Sequence, residues 1–355
     1  MEAGTQKRPM AVFPVWPLVV FSVVAVAGVF YAKWDPYFHK IFHVAVTHSL
    51  GPSIVSGNGA AAPAPSFPAA WGWGVQYFKA IWVALIVGLL VGSGVEALLP
   101  RRWLWRVLGN GTVRSSALAG CLAIPSMMCT CCSAPIAVGM GKSRVSTGAI
   151  FAYWVGNPVL NPATLIFMGF VLGWNWAAFR ILAGLGLVAL AALIGDRMGK
   201  RKGEDASLSP PAEDAAMSYS ASAILGRWVA ALRKMVYTLL PEYAVIVLLL
   251  GAARAWLFPA MDPAVGHALW IFPFMAVAGT LFVVPTAGEV PIIQTLIHHG
   301  LGIGPAGVLL ITLPAVSLPS LVMVGRVVPV RILLVLAGAV AGVGVLTGLL
   351  AQFVL

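Results

Sequence analysis

Seven stretches of this chain are long and apolar enough to cross a bilayer: residues 11–32, 77–99, 145–172, 175–195, 238–258, 304–325 and 330–354. A helix needs about 20 apolar residues to span the hydrocarbon core, whereas a barrel strand needs only about 9–11. Inside lipid every backbone N–H and C=O must be paired within the protein, so runs of this length fold as helices. The fold class that follows is an all-α polytopic membrane protein. Composition agrees: 60% of the residues are hydrophobic and only 9% charged, against about 25% charged in a soluble domain. So few charges cannot cover a surface exposed to water.

The net charge of +11 is no nucleic-acid footprint, because the basic residues sit in clumps at the ends of apolar runs rather than along one polar face. Lys7-Arg8 precede the first run. Ala25-Val26-Ala27 resembles a signal-peptide cleavage site. The run continues past it to spanning length, which favours a retained first helix with a cytoplasmic N-terminus.

Two further apolar stretches, 115–141 and 267–299, are interrupted near their middles by Pro, Gly, Ser, Thr or Cys. They read as broken helices or re-entrant hairpins, which survive at membrane depth only where they are buried in protein or line a polar cavity. They recur in register. From Pro100 the next marks, Pro135 and Pro158, follow at spacings of 35 and 23; from Pro259, Pro291 and Pro314 follow at 32 and 23. "RRWLWR" follows Pro100, and no basic residue follows Pro259 in "AMDPAVG". By the positive-inside rule these equivalent points lie on opposite sides. The expectation is an inverted-topology repeat, common in secondary transporters: seven full spans, with two hairpins meeting near the midplane. The divisions are 1–76 (extra helix and an extracytoplasmic loop, Gly/Pro-rich over 38–70), 77–195 (first repeat), 196–221 (polar cytoplasmic linker) and 222–355 (second repeat).

The candidate site lies on the hairpin tips. "MMCTCCSAP" carries Cys129, Cys131 and Cys132; "PTAGEVP" carries Glu289. Ser133 is placed as an N-cap with Pro135 in the first turn of the following short helix, and Glu289 with Pro291 opens its counterpart. Half-helix N-termini offer free N–H groups and partial positive charge to a substrate. A carboxylate at the membrane centre costs about 2.5–3.5 kcal/mol, so Glu289 is a candidate for proton coupling or substrate contact, against a role as a plain helix cap. Asn157-Pro158 and Asn161-Pro162 break the next helix; their amides either satisfy freed carbonyls or touch substrate. Pro314, Ser317 and Pro319 form the matching break.

Three adjacent thiols admit several roles. They pack as small hydrophobes, hold a soft ion such as Cu(I) or Zn(II), form a Cys129-x-x-Cys132 redox pair, or exchange on and off a thiophilic solute. No His lies near, so no resident metal is expected. Other polar residues read as structural: Glu96 paired with Arg101, Glu242 capping a span that begins after Pro241, His298 and His299 at an interface, and Trp71, Trp73, Trp103, Trp105, Trp174 and Trp176 as interfacial anchors. No Walker A loop, H-E-x-x-H or G-x-S-x-G occurs, which leaves a gradient-driven carrier or a channel, with no catalytic residue and no cofactor.

"CTCCSAPIAVGM" followed by "STGAIFAYWVGNPVLNP", with "GEVPIIQTL" and "GPAGVLLITLPAVSLPS" in the second half, resembles the ArsP-related predicted permeases over roughly residues 77–350. This chain has a third thiol and extra residues between Pro125 and the cysteines. The resemblance implies a bacterial inner-membrane efflux permease for trivalent organoarsenicals such as methylarsenite, with Cys129, Cys131 and Cys132 as substrate contacts.

Overall fold

The computed structural model describes residues 15–57, 62–199, 220–259, 266 and 268–355. Among these the regular structure is all helical, apart from one isolated bridge between Ser53 and Gly57. The first half comprises α1 (Trp16–Val29), a π turn (Phe30–Trp34), α2 (Asp35–Thr47), α3 (Phe67–Ala97), α4 (Arg101–Leu108), α5 (Val113–Ser126), α6 (Thr130–Lys142), α7 (Thr147–Val159), α8 (Pro162–Val171) and α9 (Trp174–Met198). The second comprises α10 (Ala221–Leu257), α11 (Ile271–Leu281), α12 (Glu289–His298), α13 (Ile303–Ala315), α14 (Leu318–Val324) and α15 (Val330–Val354).

Local chemistry sets the starts. Side-chain oxygens of Ser66, Ser146, Asn161 and Ser220 accept from backbone N–H groups in the first turns of α3, α7, α8 and α10. Thr112–Ser115 and Ser317–Ser320 form reciprocal boxes opening α5 and α14. Each box satisfies donors that a helix start otherwise leaves unpaired.

Among the described residues, six helices are long and apolar enough to cross a membrane: Trp16–Thr47, Phe67–Ala97, Trp174–Met198, Ala221–Leu257, Ile303–Val324 and Val330–Val354. The protein is thus a multi-pass membrane protein, but its spans differ from seven simple runs. The stretch 145–172 is two short helices, α7 and α8, because Asn161 caps a new helix and Pro162 cannot donate to the old one. The first run continues through the π turn to Thr47, so the loop begins at His48 rather than at residue 38. The run at 238–258 is the second part of α10, which carries Pro241 in its interior. Most of the 196–221 linker, the "AMDPAV" flank and Lys7-Arg8 lie outside the described residues.

One packing series occurs in each half. α5 packs on α7 and α7 on α9; α11 packs on α13 and α13 on α15; α3 meets α10, and α9 meets α15. The hairpin helices α6 and α12 lie against α7 and α13. Helices α6, α7 and α13 are buried almost all round, as expected of apolar helices with no polar face. The N-terminal helix sits at the periphery and packs on α3 and α8.

Helices α3 and α6 pack backbone to backbone. A Cβ added at Gly88 would fall 2.1 Å from the Cys132 carbonyl oxygen, and one at Gly92 would fall 2.4 Å from that of Pro135. Gly88-Leu-Leu-Val-Gly92 is the small-xxx-small spacing that lets membrane helices touch backbone to backbone. It sets the depth of the cysteine-bearing helix. Gly88→Val is expected to cost at least about 1–3 kcal/mol, read by thermal unfolding in detergent. Gly186→Ala, whose added carbon meets nothing within 4 Å, is expected to leave the transition unchanged or raise it.

Candidate functional site

Two hairpin tips converge on one small cavity. The first runs from Met127 to Cys129 between α5 and α6; the second runs over 282–288 between α11 and α12. Each turns on a left-handed non-glycine residue, Met127 at φ 49° and Ala287 at φ 64°. Such a conformation costs an L-residue about 1–2 kcal/mol. Both residues are buried in one cluster with Val44, Ala163 and Phe167, which holds the turns in place.

The cavity is about 10 Å³, roughly the room one water needs. Met128, Cys129 and Thr130 line it from the first tip, and residues 284–287 with Glu289 from the second. Pro158, Thr164 and Pro314 close it from α7, α8 and α13. The N-terminal ends of α6 and α12 therefore both border it, adding partial positive charge.

The three thiols form a buried triangle. Cys129 Sγ lies 3.0 Å from Cys131 Sγ and 3.1 Å from Cys132 Sγ, with 4.0 Å between the last two. All are free, and Cys121 stands apart and exposed. Only Cys129 lines the cavity. Cys131 faces the other way, 3.1 Å from the Tyr77 hydroxyl, to which Tyr243 donates at 3.0 Å. With one ligand atom each inside a few ångströms, the trio has the donor set of a soft-ion or thiophilic site.

Beside the thiols lies a buried ion pair. Arg180 of α9 reaches Glu289 at 2.9 Å, with both side chains almost fully buried. The same guanidinium donates to the carbonyls of Pro158 (2.8 Å) and Val159 (3.1 Å) at the end of α7. Pro162 has no N–H to offer Pro158, so Arg180 fills the gap that this proline opens.

The asparagines serve the backbone. Asn157 accepts the Met128 N–H at 3.2 Å and donates to the Tyr153 carbonyl at 2.9 Å, tying the first tip to α7. Asn161 caps α8 through Thr164 at 3.3 Å, and its amide nitrogen has no partner among the described residues. Thr130 and Ser317 hydroxyls meet at 3.2 Å, joining the first tip to the break before α14. Trp154 donates to the Thr130 carbonyl at 3.1 Å.

The sequence profile of a predicted permease family matches residues 73–153 and 126–353. The UPF0718 protein YraQ of Escherichia coli (strain K12) is 44% identical over 348 residues, covering 98% of each chain. The UPF0718 protein MJ0584 of Methanocaldococcus jannaschii is 22% identical over 335 residues, 77% of this chain and 92% of that one. The chain belongs to the ArsP-type predicted permease family. No solved structure matches it.

The permease brings some expected site residues together and not others. Cys129, Glu289, Pro158 and Pro314 share the cavity; Cys131, Cys132, Ser133, Asn157, Asn161, Pro135, Pro162 and Pro291 do not line it. Glu289 does open α12, with Pro291 in its first turn. Ser133 is not an N-cap: α6 starts at Thr130, three residues earlier, with Cys129 as its N-cap, and Pro135 lies inside the helix. The Ser133 hydroxyl instead donates to the carbonyls of Cys129 and Thr130. Glu96 pairs with Lys142 at 2.7 Å rather than with Arg101. Glu242 pairs with Arg326, within the continuous helix α10, so it caps nothing. Trp73 is buried, stacked on Tyr77, and Trp176 is also buried; neither is an interfacial anchor.

Sequence reasoning missed Arg180 and also Lys33, whose ammonium donates to the Thr286 hydroxyl at the cavity wall at 2.8 Å. Arg180 carried a signal, since an ionisable residue inside a span marks a functional site by default. Lys33 carried almost none: a lysine just past an apolar run looks like an ordinary interfacial charge. Only the helix's continuation to Thr47 puts it at mid-helix.

Removing one partner of the buried pair, in Glu289→Gln or Arg180→Met, is expected to cost about 3–5 kcal/mol. The double variant Arg180→Met/Glu289→Leu should lose less than the sum of the single replacements. A double-mutant cycle by thermal unfolding in detergent checks this.

Proposed function

We propose that this permease exports thiophilic trivalent organoarsenicals such as methylarsenite across a bacterial inner membrane, driven by an ion gradient. The observation that carries this is the triangle of free thiols, with Cys129 at the wall of a cavity between two hairpin tips. A trivalent arsenic centre exchanges hydroxide for sulfur. Each thiol forms one As–S bond, one As–OH bond breaks, and the thiol proton leaves with the hydroxide as water. With Cys129 at the wall and Cys131 and Cys132 behind it, the exchange passes from one thiol to the next and stays reversible, as transport requires.

The two halves, 77–195 and 222–355, act as an inverted repeat joined by a cytoplasmic linker, with both tips near the midplane. The matching packing of α5–α7–α9 and α11–α13–α15 supports this. The cavity holds no more than a water, so the arrangement is an occluded one. Opening separates contacts that join the halves: Thr130 to Ser317 and Arg180 to Glu289. Glu289 is then the coupling acid, free of Arg180 in one state and paired in the other. Asn157 and Asn161 hold the tip and the helix break, and the Asn161 amide adds a donor for the solute.

Everted membrane vesicles containing the wild type are expected to accumulate methylarsenite. The Cys129→Ala/Cys131→Ala/Cys132→Ala variant is expected to lose at least nine-tenths of that uptake (about tenfold, the equivalent of about 1.4 kcal/mol). Undiminished uptake in the triple variant would show that the thiols do not handle the solute.

A further inference from the structure

An open groove of about 470 Å³ runs along the first turns of α3, apart from the thiol cavity. Gly72, Gln76 and Lys79 recur at helical spacing, so they share one face of α3, and all three line the groove. A Cβ added at Gly72 meets nothing within 4 Å, which leaves the middle of that face open. Arg254 of α10 lines the groove from the other side. Its Nη2 donates to the Ala69 carbonyl at 3.4 Å, and its guanidinium carbon lies 5.4 Å from the centre of the Trp73 ring, a cation–π arrangement. Gly251 makes room for that indole: a Cβ there would fall 2.4 Å from Trp73 Cδ1.

Two buried donors of this groove lack acceptors. Arg254 is 6% exposed and Trp73 1%, yet Arg254 Nε and Trp73 Nε1 have no partner among the described residues. An unpaired buried donor is costly, and a charged one more so. The charge is unmet as well. Among the described residues neither Arg254 nor Lys79 pairs with a carboxylate, and no acid lines the groove. Both deficits are answered by one kind of ligand, an anion with several acceptor oxygens. A phosphate group fits: a guanidinium meets its oxygens with parallel N–H groups, and the indole N–H adds another donor.

We propose that this groove is an anion site that takes a phosphate group, carried by a phospholipid headgroup or free in solution. Arg254 and Trp73 Nε1 are its buried donors, and the exposed Lys79 is its second cation. Its place suits that chemistry. Helix α3 has 31 residues, about 46 Å of length against a hydrocarbon core of about 30 Å, so its ends reach headgroup depth. Trp71 stands exposed at the rim, and tryptophans favour that level. The groove also lies one ring away from the thiols, because Trp73 stacks on Tyr77, whose hydroxyl meets Cys131. The site stands whatever solute the thiols handle.

Purified full-length protein in detergent is titrated with phosphatidylglycerol, read by native mass spectrometry, and with inorganic phosphate, read by thermal shift. The wild type is expected to bind at least one of the two, and Arg254→Met to bind it about tenfold or more weakly. Gly72→Leu, which fills the groove and keeps both cations, should weaken binding to a similar degree. Trp73→Phe, which keeps a ring and loses the N–H, should weaken it less. Phosphatidylglycerol binding without a response to phosphate assigns the groove to a lipid headgroup, and a response to phosphate that phosphatidylglycerol does not compete away assigns it to a free anion. Binding of neither ligand overturns the inference, as does binding that is equal in wild type, Arg254→Met and Gly72→Leu. If Arg254→Met does not fold, Lys79→Gln, at an exposed position, carries the comparison beside Gly72→Leu.

Discussion

The contact between Arg180 and Glu289 is the constraint around which the centre of this permease is arranged. Two charges in a membrane interior are tolerable only together, and only if their remaining donors and lone pairs are met. Arg180 meets this in part by ending α7: it binds Glu289 and the carbonyls of Pro158 and Val159, the first of which Pro162 cannot serve, while its remaining terminal nitrogen has no partner among the described residues. Glu289 meets it by beginning α12, where a helix N-terminus favours negative charge. One ion pair thus fixes a broken helix of the first half against a half-helix of the second. The cavity lies where those two breaks meet.

The cysteine tip depends on the same frame. Asn157, near the end of α7, holds the Met128 N–H, and Trp154 of the same helix holds the Thr130 carbonyl. On the other side, Gly88 and Gly92 let α3 come against the α6 backbone. The thiols are therefore clamped between two buried helices, with little freedom except toward the cavity and toward Tyr77. This rigidity suits a site that must present three sulfurs together. The cavity beside them has room for about one water.

Much of this was legible in the sequence. The spans are visible because lipid demands long apolar helices, and both hairpins, 115–141 and 267–299, appear within a few residues of α5–α6 and α11–α12 because Pro, Gly and Cys interrupt them. The pairing of Cys129 with Glu289 across one cavity followed from the repeated proline spacing. What escaped were facts that live in tertiary contacts. Pro241 and Pro135 look like helix starts but sit inside helices, since neighbours in a membrane bundle can re-satisfy the bonds a proline removes. Glu96 and Glu242 found partners 46 and 84 residues away rather than nearby. Lys33 became a site residue only because a π turn carried the first helix past its apolar run.

The central claim is that the thiol triangle binds arsenic through sulfur. Arsenic X-ray absorption of the purified protein loaded with methylarsenite tests it directly. The account predicts a first shell of one carbon and two sulfurs, reverting to carbon and oxygen in the triple Cys→Ala variant. An oxygen-coordinated arsenic in the wild type, or sulfur coordination that survives loss of Cys129, Cys131 and Cys132, would contradict it.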